Sequence, residues 1–175
     1  TTDELIPSGE TSSFRSNPLR LAEFTLSRKD PAYVPNAKAV HALDAERRAG
    51  ALPAEAAAVY AALQKLGYTP DAANTNIGSA IFANKPGDGS AREQAASCQK
   101  VLGGFANICY SFATKRYRSN CINWGILPFT LDEGTPFDYE SGDCVFVPGI
   151  RQAVENGVED IPAKVICKNG AVEDI

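Results

Sequence analysis

The chain has 175 residues, 44% hydrophobic and 22% charged, which suits a globular fold with a buried core. Lys plus Arg is 17 against 21 Asp plus Glu, a net charge of -4 that argues against a dedicated nucleic-acid binder with a basic face. No apolar run approaches the roughly 20 residues of a membrane helix, and the start has neither the basic head nor the apolar middle of a signal peptide.

Residues 1–17 are rich in Thr, Ser, Gly and Pro and read as loop. Pro18 opens a short helix with Asn17 as cap and Leu19, Leu21 and Phe24 as its apolar positions. Two prolines break the chain over 30–36. One helix is expected over 36–48, with Gly50 just past its end. A second runs from Pro53 to Gly67, its apolar positions being Ala56, Val59, Tyr60, Leu63 and Leu66. Residues 68–78 read as loop. Short β runs then alternate with helices: a strand over 79–83, a helix over 90–102 with Ala91, Ala95, Cys98 and Leu102 on one face, a strand over 106–112, and a helix over 114–124 ended by Gly125. A strand over 143–147, a short helix over 150–156 and a strand over 163–167 follow. Residues 172–175 pair with that last strand through the Asn169-Gly170 turn. The alternation predicts an α/β fold.

The five cysteines (Cys98, Cys109, Cys121, Cys144, Cys167) are odd in number, widely spaced and without a CxxC. They read as thiols of a reduced, cytoplasmic chain, with Cys98 and Cys109 as core packing. One histidine, His41, leaves little scope for a zinc site. The chain has no methionine, which reads as a piece cut from a longer protein.

The stretch GDGSAREQAAS, residues 87–97, carries the chemistry-bearing pattern. Ser90 stands three residues before Glu93, the spacing of a capping box, in which the hydroxyl only satisfies a helix N–H. A glycine-rich turn entering a helix is equally an anion site. Gly87 and Gly89 allow a tight turn, and the backbone N–H groups there, Ala91 included, meet negative charge. Read locally, both roles stand, and one hydroxyl can serve both.

Three segments in order resemble one family. TTDELIPSGETSSFR resembles the start of the C-terminal swivel domain of aconitases and isopropylmalate isomerases. GDGSAREQAA resembles its active-site serine loop, and SFATKRYRSNCINWGILPF resembles the block that follows. The resemblance covers nearly the whole chain as a single swivel domain of a larger protein, except a helical insertion over 36–66. It implies a swivelling β/β/α domain, a compact sheet or barrel flanked by helices. It also implies a hydro-lyase that removes and adds water on a hydroxy di- or tricarboxylic acid, with a [4Fe-4S] cluster whose cysteine ligands lie in other, upstream domains, and a fragment inactive alone. Carried over residue by residue, Ser90 matches the catalytic serine base. Arg92 and Arg15 match arginines that bind substrate carboxylates, and Asp3 matches an aspartate lining the site. The family's second serine is Ala91 here, and two histidines usual beside these motifs are Glu4 and Gln94, which leaves the substrate open.

Two other readings remain. Ala91 suits a degenerate relative that binds a carboxylate or a protein without turnover. Lys115, Arg116 and Arg118 flank Tyr117 in a basic cluster, the feature an RNA-binding relative would use, though such clusters are commonly solvated helix faces. Trp124, near a helix end, reads as a packing anchor.

Overall fold

The computed structural model describes residues 1–175 apart from the side chains of Ser8 and Glu10. It is a mixed α/β fold with two three-stranded sheets. Three short helices, α1 (Thr2–Leu5), α2 (Ser8–Thr11) and α3 (Pro18–Ala22), and a 3-10 turn (Ser12–Phe14) open it. The long helices α4 (Tyr33–Arg48) and α5 (Ala54–Lys65) follow. Strands β1 (Ser79–Phe82), β2 (Gly104–Cys109) and β3 (Leu127–Thr130) form a parallel sheet in the order β1-β2-β3, with α6 (Arg92–Val101) and α7 (Lys115–Asn123) as crossovers. Strands β4 (Cys144–Phe146), β5 (Lys164–Ile166) and β6 (Val172–Asp174), with α8 (Ile150–Glu155) after β4, form the antiparallel sheet.

The opening corrects the expectation of loop. Thr1 and Glu4 make a capping box: the Glu4 N–H donates to Thr1 Oγ1 at 3.2 Å and the Glu4 carboxylate returns to the Thr1 nitrogen. Leu5 and Ile6 then enter the core. Asn17 caps α3 as expected, accepting from the Arg20 N–H at 3.1 Å. Leu19 is no core position; it is 68% exposed, while Phe24 stacks on Phe14 with centroids 5.4 Å apart. The helix expected from residue 36 starts at Tyr33, taking Pro35 into its first turn, where a missing N–H costs nothing. In α5, Ala56, Tyr60 and Leu63 are buried, but Leu66 lies past the helix end and is exposed.

Strand β3 was hidden from the sequence by Pro128. It pairs only with β2, and an edge strand tolerates a residue that cannot donate on its open side. The Asn169-Gly170 hairpin forms as expected. Gly170 has φ +88°, Asn169 Oδ1 accepts from the Ala171 N–H at 2.9 Å, and β5 pairs antiparallel with β6.

The core gathers α6 and α7, which pack on each other, with Ile81 of β1, the N-terminal helices, and Tyr33 and Ala37 of α4. Within it runs a polar chain: Gln99 Nε2 donates to Asn107 Oδ1 at 2.8 Å, and Asn107 Nδ2 to the Tyr117 hydroxyl at 3.2 Å. Asn107 and Tyr117 are buried to 2% and 1% exposure, so this chain holds α7 at a fixed height over β2. Among the described residues, no helix is long and apolar enough to cross a membrane.

Candidate active site

The loop that follows β1 leaves the carboxyl end of a parallel strand, the edge at which α/β sheets bind ligands. All three sequence segments singled out above meet on it. From the third segment, the Ala113 N–H donates to the Pro86 carbonyl at 2.8 Å and the Thr114 hydroxyl to the Gly87 carbonyl at 3.1 Å. From the first, the Thr2 N–H donates to the Asp88 carbonyl at 2.5 Å. Gly87 and Gly89 hold φ of +104° and +118°, a region only glycine enters cheaply. Space requires glycine too: a Cβ would stand 2.5 Å from the Tyr117 ring at Gly87 and 2.3 Å from Thr2 Oγ1 at Gly89.

An open cleft of about 280 Å³ lies between these segments, lined by residues 1–3 and 88–91. Ser90, Asp3, Gly89 and Ala91 therefore share one site. Gly87 does not line it; it packs on Tyr117 behind the loop. Ser90 is exposed, and its hydroxyl forms no hydrogen bond among the described residues. Asp3 faces Arg28 at 3.9 Å in a solvent-exposed pair.

The capping-box reading of Ser90 is overturned. Helix α6 starts at Arg92 with Ala91 in the cap position, and no side chain caps it. Glu93 is instead engaged by Trp124, whose indole N–H donates to its carboxylate at 3.1 Å. Trp124 thus anchors α6 to the end of α7, through a hydrogen bond with its ring 40% exposed. The uncapped first turn of α6 leaves backbone N–H groups and the positive end of the helix dipole beside Ser90.

Arg92 is half-buried. Its Nε is shut off from solvent and has no acceptor among the described residues, an unusual state for a guanidinium. Arg15 is exposed, just after the 3-10 turn, and does not line the cleft. Its segment is tied to α6 by Gln94 Nε2, which donates to Thr11 Oγ1 at 3.2 Å. Lys115, Arg116 and Arg118 are exposed on α7, and His41 is exposed on α4.

The thiols do not form a metal site. Cys98, Cys109 and Cys121 are buried on α6, β2 and α7, while Cys144 and Cys167 belong to the antiparallel sheet region. Burial pushes Cys98 and Cys109 up to about 11, which keeps them as thiols. Among the described residues, no three His, Cys, Asp or Glu side chains gather to hold a metal ion. These residues do not fit a [4Fe-4S] cluster.

The aconitase C-terminal domain family matches residues 71–134, a span that holds the whole parallel sheet and the Ser90 loop. Over that span the chain is similar to the aconitase C-terminal domain family. Aconitate hydratase A of Bradyrhizobium diazoefficiens is 47% identical over 56 residues, 31% of this chain and 6% of that protein's length. The matched aconitase segment begins after α5 ends. The opening with Asp3 and Arg15, the helices α4 and α5, and the antiparallel sheet lie outside it.

Sequence reasoning missed Thr2, Thr114 and Tyr117 as the residues that fix the serine loop. Thr114 had a visible signal, since a Thr before a helical run reads as an N-cap. Nothing in the sequence pointed from Thr2 to Gly89.

Proposed function

We propose that this chain is the swivel domain of an aconitase-like hydro-lyase that dehydrates and rehydrates a hydroxy di- or tricarboxylic acid, Ser90 being the base. The observation that carries the reading is the placement of Ser90, exposed in the cleft with a hydroxyl that no group among the described residues uses. Serine is a weak base, so its alkoxide needs support. The uncapped turn of α6 supplies N–H groups and a positive dipole end beside it. Arg92, with Nε short of an acceptor, is suited to a substrate carboxylate, which a guanidinium grips with two parallel hydrogen bonds. Asp3 lines the same cleft, and Arg15 is assigned to a second carboxylate, reached when the site is complete.

The resemblance of the opening segment supports this assignment for Asp3 and Arg15, and its bond to the serine loop through Thr2 supports a common site. We take residues 1–175 as one domain with residues 36–66 as an insertion. The cluster's ligands are assigned to upstream domains of the same protein, which are also this chain's partners, and the chain alone is inactive. Free thiols and the family resemblance support a cytoplasmic location. Ala91 presents a methyl group where the family has a hydroxyl, so this enzyme's substrate lacks one hydrogen-bond partner there.

The test is Ser90→Ala in the intact protein. Turnover should fall by roughly 10²–10⁴-fold, the usual worth of a positioned base, with substrate binding and melting temperature kept. Turnover near that of the unsubstituted protein would remove Ser90 from this role.

A further inference from the structure

We propose that Thr114 is a positioning residue, whose single hydroxyl clamps the serine loop to the start of α7 and so sets where Ser90 stands. The inference rests on the hydro-lyase reading for its catalytic consequence, and on geometry for the clamp itself. Three consecutive carbonyls of the loop each accept from a different place: Pro86 from the Ala113 N–H, Gly87 from Thr114 Oγ1, and Asp88 from the Thr2 N–H. The middle bond alone comes from a side chain. It is therefore the one that a substitution removes without rebuilding backbone.

The Thr114 hydroxyl is used twice. It accepts the Tyr117 N–H at 3.2 Å, capping α7, and donates its proton to the Gly87 carbonyl at 3.1 Å. One proton and two lone pairs allow both at once. Gly87 is gripped from below as well, because the Tyr117 ring fills the space a Cβ would need and Asn107 fixes the Tyr117 hydroxyl. The loop is thus stopped from sinking by Tyr117 and from lifting by Thr114. Ser90 lies three residues beyond the clamped carbonyl, at the end of a run pinned again at Asp88. A hydroxyl held in this way keeps its reach to a bound substrate, and small displacements of a reacting group are costly to rate.

The two jobs of Thr114 are separable. Thr114→Asp keeps a strong N-cap acceptor but has no proton for the Gly87 carbonyl. Thr114→Ser keeps both. In the intact protein, Thr114→Asp should lower kcat roughly tenfold to hundredfold with the melting temperature held. KM should change by less than about threefold, and Thr114→Ser should restore kcat to within about twofold. The amide proton of Thr2, bonded to the next carbonyl of the loop, should exchange about tenfold faster in the Asp variant, while the Arg118 amide in α7 keeps its protection. Unchanged Thr2 exchange in Thr114→Asp overturns the clamp, and so does a Ser variant as slow as the Asp variant. If Ser90→Ala retains full turnover, the hydro-lyase role of the serine falls, and Thr2 exchange still decides the clamp.

Discussion

Thr2 sits against Gly89 so closely that a Cβ on the glycine would stand 2.3 Å from Thr2 Oγ1. Thr2 is 1% exposed and its N–H is bonded to the Asp88 carbonyl, so it has no room to yield. Gly89→Ala therefore meets two costs, the contact and a φ of +118°. The backbone alone is worth roughly 1–3 kcal/mol. Equilibrium urea unfolding should show a loss of at least that size. Adding Thr2→Ala relieves the contact and leaves the backbone cost, so the double variant should recover part of the loss. Equal destabilisation of the single and double variants would show that the two residues are not in contact.

This contact also marks the limit of what the sequence told. The two crossovers were legible: helices expected over 90–102 and 114–124 are found at Arg92–Val101 and Lys115–Asn123, because glycines and apolar spacing mark both ends. The start of α6 was misread, since Ser90 and Glu93 carry the capping spacing but tertiary bonds decide otherwise. Thr2 draws the Asp88 carbonyl aside, Trp124 takes Glu93, and the helix begins one residue past Ala91. Strand β3 was illegible because Pro128 reads as a breaker until the strand is known to be at an edge. The four-residue helices of the opening depend on burying Leu5 and Ile6, which no local pattern reveals. Asp3 and Ser90, found by resemblance 87 positions apart, do share a cleft, whereas Arg15, found by the same means, does not line it.

Asp44 predicts how helix α4 responds to acid. Its carboxylate is 2% exposed and accepts from Arg47 Nε at 2.8 Å and the Ile77 N–H at 3.0 Å, with Arg48 Nε at 2.8 Å on the other oxygen. Arg47 also donates to the Ala72 carbonyl at 2.7 Å, so the pair ties α4 to the segment that leads into β1. Burial pushes the Asp44 carboxyl up, but the Arg47 bond, the Ile77 N–H and the two guanidinium charges outweigh it and hold the group below its ordinary value. A folded-state value that is depressed gives stability present above the unfolded value, near 3.9, and lost as pH falls through the folded one. Urea unfolding between about pH 5 and pH 3 should show stability falling with pH, and Asp44→Asn should flatten that fall. At neutral pH, Asp44→Asn should cost about 3 kcal/mol, because Arg47 is left buried without its counter-charge. A variant whose pH profile runs parallel to the unsubstituted protein would show that Asp44 is not the group responsible.

The cysteines offer a test that separates packing from metal binding. Cys98, Cys109 and Cys121 are buried, and burial raises the pKa of each thiol, with Cys98 and Cys109 at about 11. Cys144 and Cys167 are only partly buried. Burial raises them too, with the Asp143 carboxylate adding to both and Glu173 to Cys167. The thiolate is the reactive form, so access and pKa act together. Iodoacetamide on the native protein near neutral pH should modify Cys144 and Cys167 slowly and leave the other three unmodified. Raising the pH should speed the first two before any of the buried set reacts. Denaturant should open all five at once. Peptide mapping by mass spectrometry reads the order directly. Early modification of Cys98, Cys109 or Cys121 in the native protein would contradict their role as core side chains. It would reopen the question of whether this chain contributes a thiolate ligand to the proposed cluster.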